Sequence, residues 1–133
     1  QPKLPVVTSV DATLINQALT NILKNAGESI ETRMQNPSTS NHEGIIEVSL
    51  QNKSDSFVLN ISDNGVGLPQ DRSRLFEPYV TTREKGTGLG LAIVKKIIEE
   101  HGGVLKLEDS APFENTEIIG ALISIELPKS KSL

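Results

Sequence analysis

The hydrophobic period changes along this chain, and that change limits the fold more than any other feature of the sequence. From Ala12 to about Met34, Ile15, Leu19, Ile22, Ala26 and Ile30 recur at spacings of three and four, which draws one apolar stripe along a helix. Asp11 precedes it as an N-cap whose carboxylate can accept from free amides of the first turn. From Ile46 the repeat drops to two. Ile46, Val48 and Leu50 alternate with Glu47, Ser49 and Gln51, and Phe57, Leu59 and Ile61 alternate with Val58, Asn60 and Ser62, as in two strands turning through Asn52–Asp55. A second helical stretch, Leu89 to His101, turns Ala92, Ile93 and Ile97 inward and ends at Gly102-Gly103, a C-cap signature. Val104 and Leu107, then Ile118 to Leu127 closed by Pro128, supply two more strands. Residues 4–9 (LPVVTS) suit an edge strand after Pro5. The order β-α-β-β-loop-α-β-β predicts an α+β two-layer sandwich, one sheet with helices on one face.

Between these elements, residues 35–44 form a polar loop, and residues 63–88 are rich in glycine and proline without a long apolar period. The latter read as an extended loop with a helical turn near 71–76.

A chain of 133 residues matches one domain of ordinary size and can bury a core without staples. Thirteen Lys and Arg against seventeen Asp and Glu leave a net charge of −4, which argues against nucleic acid, since phosphate-backbone binding needs a basic footprint. The absence of cysteine excludes disulfides, thiolate metal sites and cysteine nucleophiles, and fits a reducing compartment. No apolar run reaches the ~18–20 residues of a membrane span, so no direct membrane contact is expected. The start at Gln1-Pro2-Lys3, without an initiator Met or signal-peptide pattern, reads as a fragment of something longer.

Three stretches carry chemistry. Asn21, Asn25 and Glu28 fall on one helix face, away from the apolar stripe. A solvated face accounts for that spacing, but two asparagines one turn apart inside a helix are disfavoured because their amides compete for the backbone. Oxygen ligands for Mg²⁺, shared with phosphates and water, are the functional alternative. Asp63-Asn64-Gly65-Val66-Gly67 follows a strand, where Asn-Gly signals a hairpin. Leu68-Pro69-Gln70 cannot continue a ladder, so the hairpin reading fails. A carboxylate at a strand end beside two glycines can accept from an exocyclic amine while the backbone approaches a flat ring. Gly86-Thr87-Gly88-Leu89-Gly90-Leu91 opens the second helix, where free N–H groups suit phosphate. Its spacing matches neither a Rossmann fingerprint nor a P-loop.

Taken in order, Asn21 and Asn25 with Ala26, Asp63-x-Gly65-x-Gly67, Leu75-Phe76-Glu77-Pro78 and Gly86-Thr87-Gly88-Leu89-Gly90-Leu91 resemble the N, G1, F and G2 boxes of sensor histidine kinases. These boxes define the catalytic, ATP-binding domain of that family, and the resemblance runs from about residue 4 to Pro128. The run from Glu77 to Gly103 is most similar to the nitrogen-regulation branch. The resemblance implies the Bergerat ATP-binding fold shared with gyrase, Hsp90 and MutL: a two-layer sandwich with one mixed sheet of about five strands and an ATP lid over residues 70–87. It implies a single catalytic domain over residues 1–133, with the dimerisation and phosphoacceptor domain absent from the chain.

By the same resemblance, Asn25 is the Mg²⁺ ligand and Asn21 faces the phosphates. Asp63 pairs with the adenine amino group, and Gly65 and Gly67 line the base pocket. Gly86, Gly88 and Gly90 form the hinge and phosphate-facing end of the lid, Thr87 and Leu89 count with Gly88 and Gly90 among the nucleotide-binding residues, and Phe76 packs the lid down. Arg83 and Lys85 are cations placed to neutralise charge during transfer, though solvated loop charges account for them equally. Family members that hydrolyse ATP carry a Glu where this chain has Asn21. Hydrolysis needs a general base, so Asn21 favours phosphoryl transfer. Glu28 is a substitute base in principle.

Where many members carry a Gly-Thr-Thr-Phe-like run, this chain has Gly120-Ala121-Leu122-Ile123, and no base contact is assigned there. Neither His42 nor His101 sits in a phosphoacceptor context. The expected activity is donation of the γ-phosphoryl of Mg-ATP to a histidine on separate dimerisation helices, for relay to a response regulator. The domain is expected to be cytoplasmic, its parent in the bacterial inner membrane. The alternatives are a nucleotide-binding regulatory module or an ATPase of the same fold.

Overall fold

The computed structural model describes residues 11–36, 43–68, 90–113 and 118–129. The elements run α1 (Ala12–Met34), β1 (Ile46–Asn52), β2 (Ser56–Asp63), α2 (Gly90–Glu100), β3 (Val104–Asp109) and β4 (Ala121–Pro128). Helix α1 starts where the sequence places it. The Asp11 side chain accepts from the Leu14 N–H at 3.1 Å, satisfying one of the amides that have no partner within a first turn. Helix α2 ends in a Schellman arrangement: Gly102, at φ 75°, donates to Glu99 O at 3.0 Å, and Gly103 donates to Ile98 O at 2.9 Å.

The strands form one sheet in the order β1-β2-β4-β3. The register pairs Ile46 with Asp63, Ile61 with Ile123, and Leu107 with Ile123, all in antiparallel ladders. Strands β2 and β3 therefore run parallel on either side of β4, and the chain must cross over between them; α2 lies in that crossover. Where a mixed sheet of about five strands is expected, the described residues form four strands paired only in antiparallel fashion. The expected strand at residues 4–9 and the lid at 70–87 lie outside the described residues.

Directly opposed residues share a face of the sheet, so Phe57, Leu59, Ile61, Leu105, Leu107, Ile123, Ile125 and Leu127 line one side. Ala18 and Ile22 from α1 and Val94, Ile97 and Ile98 from α2 close over them as the core. The opposite face is polar, with Ser124 Oγ donating to Asn60 Oδ1 at 2.6 Å and Ser56 Oγ donating to Glu126 Oε2 at 2.7 Å. Helices thus cover one face, as expected.

Two details differ from the sequence reading. The inward face of α2 centres on Val94, Ile97 and Ile98, with Ala92 and Ile93 only half-buried. Strand β4 begins at Ala121 rather than Ile118, because residues 118–120 bond to another partner. Phe113 N–H donates to Ile118 O at 3.1 Å and Ser110 N–H to Gly120 O at 2.9 Å.

Candidate nucleotide site

Positions 21, 25 and 29 of α1 are spaced by four and fall on one side of the helix. Asn21 and Asn25 are half-buried there, and Ser29 is 2% exposed. Strand β2 delivers Asp63, 5% exposed, to the sheet end that this side of α1 faces. The chain then turns sharply: Gly65 N–H donates to Asp63 Oδ1 at 2.8 Å, an Asx turn that sets the carboxylate's rotation. The next amide, Val66 N–H, donates to Ser29 Oγ at 2.9 Å. Helix and loop meet so closely that a Cβ at position 65 would stand 2.1 Å from Ser29 Oγ. Only glycine fits at 65. Asn25 stands four residues before Ser29 on the same side, about 6 Å along the axis, on the helix face that meets the Asp63 loop through Ser29.

Two further clamps hold Asp63. Asn64, 1% exposed, donates from Nδ2 to Glu43 O at 2.6 Å and accepts at Oδ1 from Ile45 N–H at 2.8 Å. Arg33, itself buried, adds an Nη2 contact to Glu43 O at 3.3 Å. From the other side, Gly120 lies against the Asp63 carbonyl, where a Cβ would come within 1.7 Å of the oxygen. Gly120 is in turn held by Ser110, whose Oγ accepts the Gly120 N–H at 2.8 Å. Hydrogen bonds of this kind contribute about 1 kcal/mol each, but a buried group left unmatched costs about 1–3 kcal/mol. The carboxylate is thus set in a rigid frame.

Of the residues singled out from sequence, Asp63 and Gly65 lie in this turn, and Asn21 and Asn25 are half-buried on the side of α1 that carries Ser29. Gly67 adopts φ 81° with its Cα turned toward Ile119 O, and Gly90 is the first residue of α2. Phe76, Arg83, Lys85, Thr87, Gly88 and Leu89 lie outside the described residues. Sequence reasoning missed Ser29, Asn64, Ser110 and Gly120 as parts of the site. For Ser29 a signal existed: a small polar residue one turn after Asn25, in a helix interior that Ser does not favour. Gly120 entered the sequence reading only as the first residue of a run that departs from the family pattern after it. His101 is structural: its Nε2 accepts the Asp11 N–H at 2.9 Å, and its Nδ1 lies 2.8 Å from Ile97 O. The Asp11 amide can only donate, so the proton resides on Nδ1.

A two-helix layer on an antiparallel sheet, with an amide-bearing helix face beside a framed Asp-x-Gly-x-Gly turn, defines a nucleotide-binding class. The chain matches the histidine kinase-, DNA gyrase B- and HSP90-like ATPase family over residues 10–131, and it belongs to that family. Within it, the chain is a histidine kinase catalytic, ATP-binding domain, and it is similar to NtrY-like sensor kinases. It is 53% identical over 122 residues to the nitrogen regulation protein NtrY of Azorhizobium caulinodans, covering 91% of this chain and 15% of that protein. Sporulation kinase B of Bacillus subtilis is 34% identical over 119 residues, 89% of this chain and 24% of that one. Among solved structures, the mycobacterial sensor histidine kinase MprB superposes with a TM-score of 0.73 at 31% identity, covering 94% of this chain and 76% of the other. The catalytic domain of histidine kinase ThkA, nucleotide free, gives 0.68 at 32% identity, covering 93% and 73%. The chain spans only a minor part of the length of its curated relatives. Among the described residues, no helix is long and apolar enough to cross a membrane.

Proposed function

We propose that this domain, residues 1–133 as one unit, presents the γ-phosphate of Mg-ATP to a histidine on separate dimerisation helices of its parent kinase. A response regulator then takes the phosphoryl group. The parent is a sensor in the bacterial inner membrane with this domain on its cytoplasmic side, and the full architecture is the Bergerat sandwich with a fifth strand and a lid over residues 70–87. Asp63 accepts from the adenine amino group, and Gly65 and Gly67 let the backbone approach the ring. Asn21 faces the phosphates. Asn25 offers a neutral carboxamide oxygen, a hard donor of the type Mg²⁺ accepts, and the donor set therefore fits that ion. When bound, Mg²⁺ supplies charge neutralisation at the triphosphate. Thr87, Gly88, Leu89 and Gly90 approach the phosphates, Phe76 packs the lid, and Arg83 and Lys85 add positive charge during transfer.

The observation that carries this reading is the framed Asp63 carboxylate. It is buried, is turned by an amide of its own loop, and sits in a turn hydrogen-bonded to Ser29, on the side of α1 that also carries Asn21 and Asn25. An ionised carboxylate only accepts hydrogen bonds, and such a site rejects a base that lacks the amino group. The imidazole substrate is itself nucleophilic, so the Asn at position 21, which is no general base, is no handicap for transfer. Isothermal calorimetry with Mg-ATP tests the assignment: Asp63→Ala should weaken binding by about 1–3 kcal/mol. Unchanged affinity would remove it. Adding the parent's dimerisation helices in trans with labelled ATP should label the helix. Tight nucleotide binding without label would point to a regulatory module instead.

A further inference from the structure

Ser29 lies in the interior of α1, where serine is a mediocre helix former, and it is 2% exposed. Its hydroxyl faces the Asp63–Gly67 loop and accepts the Val66 N–H at 2.9 Å. The amide immediately before, Gly65 N–H, turns the other way and donates to Asp63 Oδ1 at 2.8 Å. Two successive amides therefore link the helix to the carboxylate, one on each side of a single residue. The loop cannot settle closer, because the Gly65 Cα already leaves no room for a Cβ beside Ser29 Oγ and the Ser29 backbone. The Val66 hydrogen bond keeps it from drifting away. A shift of this residue would carry the Gly65 N–H with it and let the Asp63 carboxylate rotate.

We infer that Ser29 is a positioning residue for base discrimination: it holds the Gly65–Val66 amides so that Asp63 presents a fixed acceptor to an amino-bearing purine and refuses an oxo-bearing one. The inference rests on the reading that Asp63 receives the adenine amino group. Adenine offers a donor at the position where guanine offers an oxygen, and an oxygen facing a carboxylate leaves both without a partner. Rejection of that kind weakens once the carboxylate can turn aside. Asn25 stands one turn before Ser29 on the same helix face, so one rigid element sets both the base end and the metal end of the site.

The test is isothermal calorimetry on the full 133-residue chain with Mg-ATP and Mg-GTP. Ser29→Ala removes the acceptor, and Ser29→Cys keeps the shape while accepting hydrogen bonds only weakly. Both should lose ATP affinity by roughly five- to tenfold while GTP affinity stays within about twofold, so the ATP:GTP preference contracts. A role confined to folding would weaken both nucleotides in parallel. Asp63→Asn is run alongside. Parallel weakening or an unchanged preference in both Ser29 variants, with discrimination lost in Asp63→Asn, would overturn the inference and leave the Asp63 assignment intact. Discrimination that survives in Asp63→Asn would remove that assignment and the inference with it.

Discussion

Replacing Gly120 by alanine puts one methyl group where the Asp63 carbonyl already stands. The added Cβ would lie 1.7 Å from Asp63 O, 2.7 Å from Asp63 C and 3.1 Å from Asn64 Cα. Since Cβ atoms essentially never approach within 3.0 Å, the two backbones must separate by 3.0 − 1.7 = 1.3 Å. No side chain can swing aside to relieve this, because every close neighbour is main chain. Overpacking of this kind costs about 1–3 kcal/mol and occasionally more, and a backbone neighbour sets Gly120→Ala at the upper end. At about 2.1 cal/mol/K per residue, a chain of this length unfolds with an entropy near ~0.28 kcal/mol/K, so each kcal/mol shifts the midpoint by about 3–4 °C. Scanning calorimetry should show a loss of roughly 7–11 °C. The same displacement moves Asp63 out of its frame, so ATP binding should weaken as well. Gly27→Ala is the matched control: it lies inside α1 with nothing within 4 Å of the added atom, and it should stabilise by about 0.5–1 kcal/mol. A Gly120→Ala protein that melts within about 2 °C of the parent and binds ATP normally would refute the close-contact argument.

Ile98, 1% exposed at the centre of the core, should cost about 2–5 kcal/mol when cut to alanine, read as a lower urea midpoint at unchanged slope. Glu126 is held below its ordinary value of 4.5 by the Ser56 hydroxyl first and by the Lys53 charge second. A carboxylate with a lowered folded pKa adds stability above its unfolded pKa and loses it as pH falls through the folded value. Ser56→Ala should therefore flatten the acid-side loss of stability, measured as urea midpoints from about pH 6 to pH 3. Identical acid limbs in parent and variant would show that the contact does not matter.

The bounds of α1 were legible because a long amphipathic period and an N-cap aspartate agree at its start. The face of α2 was not. Leu91, Ala92, Ile93, Val94, Ile97 and Ile98 crowd apolar side chains around most of an 11-residue helix, and periodicity cannot choose among them; the sheet does. The site divides along the same line. Asn25 and Asp63 stood out because their chemistry is unusual where they occur. Ser29, Asn64 and Gly120 act through contacts that span long stretches of chain, such as Ser29 with Val66 at a separation of 37 positions, and no local pattern encodes them. The antiparallel pairing of β4 between β2 and β3 is likewise a property of the assembled sheet.

His101 has one further implication. A phosphoryl group can only attach to imidazole through a nitrogen with an available lone pair. In His101, one nitrogen spends that pair on the Asp11 amide and the other carries the proton directed at Ile97. To become an acceptor the ring would have to let go of the entrance to α1. While the fold is intact, neither nitrogen of this side chain is open to a phosphoryl group.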